Sequence, residues 1–187
     1  MLDRALLFIR DTLDAHLRST LSLSEPIVVL NHLQTGEGAT SQKNQNRVIM
    51  ALTKIEYEPS RQFYNEKIGS SGKTNKPPAQ YFNLNIMMAA NFDDYIESLK
   101  VMSNVIMFFQ ANSSFKRSLL PNMPAELSLL EIEIENTSDA KSFEIWSALG
   151  ATYLPSLIYK VRRLIIDADQ ISGFTAPLQL PITEVAQ

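Results

Sequence analysis

The stretch from Trp146 to Asp167 limits what this chain can fold into more than any other. It reads Trp-Ser-Ala-Leu-Gly, then Ala-Thr-Tyr-Leu-Pro-Ser-Leu-Ile-Tyr-Lys-Val-Arg-Arg-Leu-Ile-Ile-Asp. A helix is expected to end on Gly150, because glycine takes the left-handed C′ conformation without a Cβ penalty. Pro155 closes a short connector. The β-branched run after it predicts a strand from Leu157 to Asp167. The only Trp of the chain lies on that helix, and Trp146, Gly150, Pro155 and Tyr159 are expected to serve structure. With Lys160, Arg162 and Arg163 at its centre, the strand is too charged to be a plain core strand. The unit closes a small packed domain and points toward assembly rather than chemistry.

At 187 residues, with 45% hydrophobic and 20% charged side chains, one globular domain is the expectation. A net charge of −3 argues against nucleic acid as a partner, since phosphate binding needs a basic footprint. The absence of cysteine removes disulfides, zinc thiolates and thiol nucleophiles. Asp3, Arg4, Arg10 and Asp11 interrupt the first apolar segment, so no secretory signal is expected there. No window approaches the roughly 20 apolar residues of a spanning helix, so no membrane partner is expected.

Leu2, Leu6, Ile9, Leu13 and Leu17 recur at helical spacing between charged residues and predict an amphipathic helix. After Pro26, Ile27 to Leu30 predicts a short strand, and residues 34 to 46 a polar loop. Arg47 to Tyr57 predicts a central strand, with Ile49, Ala51, Thr53, Ile55 and Tyr57 on one face and Val48, Met50 and Leu52 on the other. Residues 59 to 78 are expected to form a long loop. Tyr81 to Ala90 predicts a strand with Phe82, Leu84, Ile86 and Met88 inward and Asn83 and Asn85 outward. Asn91 is the expected N-cap of a helix running to about Gln110, one face of which is marked by Tyr95, Leu99, Met102, Ile106 and Phe109. Phe115 to Pro124 is expected to be a connector. Leu130, Ile132 and Ile134 alternate with Glu131, Glu133 and Glu135, the clearest period-two signal in the chain. Thr137 or Ser138 should cap the short helix that carries Phe143, Trp146 and Leu149. Three consecutive strands near the start favour an α+β fold: a mixed, mainly antiparallel sheet flanked by helices. The expected division is a domain over residues 1–169 and a C-terminal tail over 170–187.

Candidate chemistry is sparse. Gly69-Ser-Ser-Gly-Lys-Thr74 suggests a phosphate loop, but Lys67 stands where that motif requires glycine. Pro77 and Pro78 also follow too soon for the helix whose N-terminus would hold the phosphate. A nucleotide-handling enzyme built on this loop is the main rival function. His16 and His32 are the only histidines, and neither has the neighbouring ligands a metal needs. Glu131, Glu133 and Glu135 are expected to present one acidic strand face, pairing with Lys160 and Arg162 of the last strand at roughly 0.2–1 kcal/mol per pair. Arg61, Lys67, Lys73 and Lys76 make the long loop locally basic and suit it to contacts.

The run of Trp146-Ser-Ala-Leu-Gly150 with Tyr153, Pro155-Ser156-Leu157, Tyr159, Val161-Arg162 and Ile166-Asp167 resembles the tail-terminator, or cap, proteins of extracellular contractile injection systems. The first helix, the strand Pro78-Ala-Gln-Tyr-Phe-Asn-Leu-Asn, and Tyr95-Ile-Glu-Ser-Leu followed by Ile106-Met-Phe-Phe-Gln110 are similar to that family in the same order. The likeness extends to about Asp169. It implies a phage tail-terminator-like α+β domain that forms a homo-hexameric ring on the distal end of an inner tube and contractile sheath. The partners it implies are further copies of the chain, the tube protein and the sheath protein. It implies no catalysis and no cofactor, and it implies synthesis in a bacterial cytoplasm followed by incorporation into a phage-tail-like particle. A neck or adaptor protein of a true phage is a second rival. The interface candidates are Glu131, Glu133, Glu135, Lys160, Arg162, Arg163, Arg61, Lys67 and Lys73.

Overall fold

A computed structural model describes residues 1–34, 42–59, 68–69, 72–75, 79–166 and 173–175. The helices are α1 (Leu2–Leu21), α2 (Tyr95–Ala111) and α3 (Asp139–Leu149). Six strands form the main sheet: β1 (Val28–Leu30), β2 (Arg47–Tyr57), β5 (Gln80–Asn91), β6 (Ser114–Lys116), β7 (Leu129–Ile134) and β8 (Ser156–Ile166). Their spatial order is β1-β2-β5-β8-β7-β6, and every neighbouring pair is antiparallel except β1 with β2. Three further strands, β3 (Ile68–Gly69), β4 (Gly72–Asn75) and β9 (Gly173–Thr175), form a small separate antiparallel sheet. The fold is α+β with a mixed, mainly antiparallel sheet.

The apolar stripe of α1 buries Ala5, Leu6, Phe8, Ile9, Leu13 and Leu17. The helix reaches from one sheet edge to the other. The carboxylate of Asp14 accepts hydrogen bonds from the backbone N–H of Ile27 (2.7 Å) and Val28 (2.9 Å) at the start of β1. Phe8 meets Phe115 of β6 edge-on at 5.7 Å. The sheet therefore curls around α1. Helix α2 lies on the same face, where Phe109 packs 4.6 Å from the ring of Tyr159. Leu84, Ile86, Met88 and Ala90 of β5 join this core, while Met87 and Ala89 point to the opposite face. There, Trp146 of α3 is buried with Leu33, Ile49, Ala51 and Ile158. Strand β5 is thus buried on both sides, which accounts for its nearly unbroken apolar composition.

Two β-bulges change which face side chains occupy. In β2, Leu52 pairs with Ile86 and Lys54 with Asn85, leaving Thr53 as an extra residue. Its hydroxyl donates to the carbonyl of Asn85 at 3.0 Å. Strict alternation puts Ile55 and Tyr57 with Ile49. The extra residue reverses the parity, so they share the face of Val48, Met50 and Leu52. In β8, Phe82 pairs with Leu164 and Leu84 with Val161, so Arg162 and Arg163 stand opposite the single Asn83. Arg163 takes the left-handed conformation there, with φ 69°.

Other expectations are corrected. The N-cap of α2 is Asp94, whose side chain accepts from the N–H of Ile96 at 2.9 Å. Asn91 is the last residue of β5, because the sheet pairing with Arg47 carries the strand that far. The buried face of α2 comprises Ser98, Val101, Met102, Val105, Phe108 and Phe109, leaving Tyr95, Leu99 and Ile106 exposed. The stretch from 59 to 78 contains the β3–β4 pair. The expected connector after Phe115 begins inside β6, too short a strand to show a period.

Candidate interaction surface

The described residues offer one strongly patterned polar surface, on the face of the sheet that α3 leaves open. Cross-strand register sets it out in two adjacent rows. Lys54, Asn85, Lys160 and Glu133 form the first row across β2, β5, β8 and β7. Glu56, Asn83, the Arg162–Arg163 bulge and Glu131 form the second. The bulge is what gives this face a second arginine. With regular alternation Arg163 would point into the core beside Val161.

Each charge finds a partner within the chain. Lys160 Nζ lies 2.6 Å from Glu56, reaching across β5, and Lys54 Nζ lies 2.7 Å from the same carboxylate. Hydrogen bonds from Lys160, and then from Lys54, hold the Glu56 carboxyl down at about 2, well below its ordinary 4.5. Arg162 Nε donates to Glu133 at 2.6 Å, and Arg163 Nε donates to Glu131. Asn83 Nδ2 donates to Glu58 at 3.1 Å. Lys54, Lys160, Arg162 and Arg163 thus face Glu56, Glu58, Glu131 and Glu133, four charges of each sign. Among the described residues the surface is patterned but locally neutral. Asn83 and Asn85, expected to face outward, do point to this side, yet the long charged side chains cover them and they are buried. Around the bulge lies a cavity of about 60 Å³, far below the roughly 300 Å³ at which small-molecule sites begin.

Glu135 lies one residue past the end of β7, its N–H donates to the carbonyl of Ile158, and its carboxylate is 3.9 Å from Lys141 of α3. Arg61 and Lys67 fall outside the described residues. Lys73 lies in β4, its backbone opposite Ile68. The Gly-Lys-Thr stretch is therefore in a strand, whereas a phosphate loop needs a helix to begin there. His16 packs its ring 4.9 Å from Phe108, and His32 is exposed.

Two apolar surfaces complete the description. On α2, Tyr95, Ile96, Leu99, Ile106 and Met107 share one solvent-facing side of the helix at 3.6-residue periodicity, Tyr95 being 62% and Met107 55% exposed. Beside α3 lies an open groove of about 540 Å³, lined by Asp139, Ser142, Phe143, Trp146, Gly150 and Tyr153 among others. Phe143, one turn from the buried Trp146 on α3, is 75% exposed, and Tyr153 is 65% exposed. Ser138 accepts from the N–H of Lys141 at the start of α3, and Gly150, at φ 64°, ends the helix in the left-handed conformation expected of it. A Cβ at Gly150 would meet nothing closer than 3.6 Å, so backbone conformation, not space, selects glycine there.

This arrangement, a curled mixed sheet with helices on both faces, is the tail-terminator fold. The chain belongs to the family described as the Pvc16 N-terminal domain, whose model matches residues 6–179. Among solved structures it is similar to the sheath/tube terminator in the extended state of PVC, an extracellular contractile injection system. The TM-score is 0.56 and the identity 17%, covering 97% of this chain and 63% of that one. It is also similar to the tube-terminating cap of the anti-feeding prophage, with TM-score 0.58 and 14% identity over 96% of this chain and 61% of that one. The chain thus spans less than two thirds of either. No curated protein matches it.

Proposed function

We propose that this chain is a structural cap subunit that assembles as a ring, a homo-hexamer, on the distal end of the inner tube and contractile sheath of a phage-tail-like injection particle and stops their growth. The observation that carries this reading is the family match over residues 6–179 together with a fold shared, over nearly the whole chain, with a sheath/tube terminator and a tube-terminating cap. The mechanism is steric and adhesive, with no bond made or broken. A stack of identical rings stays open at its end, because each top face presents what the next ring binds, until an unlike subunit covers it. In this reading the tube and sheath proteins are the partners. The charged strand face around Glu131, Glu133, Lys160, Arg162 and Arg163 meets one of them, and Arg61, Lys67 and Lys73 assist. The chain is made in the bacterial cytoplasm and leaves it only as part of the particle.

Particles assembled in cells lacking this chain test the proposal. Electron microscopy should show tubes and sheaths of unregulated length, or tubes without sheath. Particles of normal length with intact sheath and blunt ends would overturn it. Attachment of a DNA-filled head to the same end would favour a phage neck protein instead.

A further inference from the structure

We propose that neighbouring copies of this chain join through two unlike surfaces: the outward stripe of α2 on one copy enters the groove beside α3 on the next. The proposal rests on the ring reading above and names its subunit contact. The stripe is not needed by the fold, because Ser98, Val101, Met102, Val105, Phe108 and Phe109 already complete the buried side of α2. Yet Ile96, Leu99, Ile106 and Met107 stand exposed beside them, and clustered apolar exposure of this kind marks a contact surface. The two surfaces lie on opposite faces of the sheet, since α2 packs into the core with Tyr159 and α3 into the core with Met87. Unlike patches on opposite sides propagate in one direction and close into a ring when the rotation allows. A two-fold dimer would instead require one patch to match itself.

Charge selects the same pairing. Lys100 borders the stripe, one turn from Ile96 and two from Met107, and has no ion-pair partner among the described residues. Asp139 lines the groove and is likewise without an ion-pair partner there. The one basic residue of α3, Lys141, is engaged by Glu135. A cation on one surface and a carboxylate on the other favour unlike over like contact.

The absence of cysteine makes the test direct. Particles are assembled with Met107→Cys and Phe143→Cys in the same chain and treated with a short bis-maleimide. A ladder of cross-linked copies on a denaturing gel is expected, with no ladder from either single variant. Leu99→Glu should cut the recovery of rings about tenfold or more. Lys100→Asp and Asp139→Lys should each weaken ring recovery, and their combination should restore it. Dimers from a single-cysteine variant, or cross-links only to tube or sheath protein, would overturn the pairing. Rings of normal size that form no ladder and tolerate Leu99→Glu would leave the cap reading intact and remove this contact. A lone monomer in purified particles would remove both.

Discussion

Asp14 offers a sharp test of how this fold is held together. It lies on α1, is 8% exposed, and one oxygen, Oδ1, accepts both the Ile27 and the Val28 N–H. The other oxygen is 3.8 Å from Arg18 Nη1. Ile27 and Val28 are themselves buried, so Asp14→Ala leaves two backbone donors without partners. At about 1–3 kcal/mol for each unmet buried group, with some relaxation, the loss should be about 3 kcal/mol. In a chain of this size that lowers Tm by roughly 6–12 °C. Asp14→Asn keeps an oxygen in the same place and loses only the charge assistance, at about 1 kcal/mol. Arg18→Ala should also cost about 1 kcal/mol or less, since the pair is long and the guanidinium is partly in water. Urea unfolding of the three variants, followed by circular dichroism, gives the order. If Asp14→Ala costs no more than Asp14→Asn, the two hydrogen bonds are not what the carboxylate contributes. If Arg18→Ala equals Asp14→Ala, the ion pair is.

Trp146→Ala should destabilise the chain by about 3–5 kcal/mol, the usual cost of removing a large buried aromatic; calorimetry showing a native-like melt with assembly alone lost would place the side chain in a subunit contact instead. The depressed pKa of Glu56 makes its contribution fully present above about pH 4.5 and lost as the pH falls through about 2. Melting curves across that window should therefore fall less steeply for Glu56→Gln than for the parent, and parallel curves would discount the Lys160 and Lys54 bonds. Glu133→Arg and Arg162→Glu should each change stability by about 1 kcal/mol or less, because the pair is half exposed. If this face meets a partner, each should nevertheless impair particle attachment by far more than the melting shift accounts for, and the double reversal should restore part of it; loss of attachment only in proportion to stability would assign the pair to the fold alone.

The period signals that could be seen in the sequence were those of regular elements. The α1 stripe, the β7 alternation and the Gly150 stop each depend on neighbours a few residues away, and the structure has all three. What could not be seen depends on pairing across the chain. The bulges at Thr53 and Arg162–Arg163 add one residue without any glycine to mark them, and each reverses the parity of every residue beyond it. On α2, apolar residues cover more than two thirds of the circumference, so periodicity alone did not tell the buried side from the exposed one. Asp14 was legible only as a polar residue between apolar ones, since its partners lie 13 and 14 residues away. The same limit applied to the candidate surface. Glu131, Glu133, Lys160 and Arg162 were visible as complementary stripes, whereas Lys54 and Glu56 joined them only once β5 had brought β2 within reach of β8.

The closed charge network and the open apolar surfaces imply different dependence on salt. Four positive and three negative side chains on the sheet face satisfy one another within the subunit, and Glu58, bonded to Asn83 beside them, balances the charge of the described residues there, so that face carries little net field to steer a partner at a distance. In the proposed ring the free energy of subunit contact comes instead from burying Ile96, Leu99, Met107 and Phe143, with one cross-subunit charge pair at the edge. Apolar burial is insensitive to screening. At physiological salt the Debye length is already about 8 Å, and a single exposed pair contributes about 1 kcal/mol or less. Ring recovery from purified chain or from particles should therefore change little, by less than about fivefold, between low and high salt, with sulfate strengthening it as excluded salts strengthen apolar contacts. Light scattering across a chloride and a sulfate series separates the two effects. Disassembly in moderate chloride, recovered on dilution, would mean that the charged sheet face opens its internal pairs and carries the contact itself, and the division of labour between the two kinds of surface would then be the reverse of the one argued from their geometry.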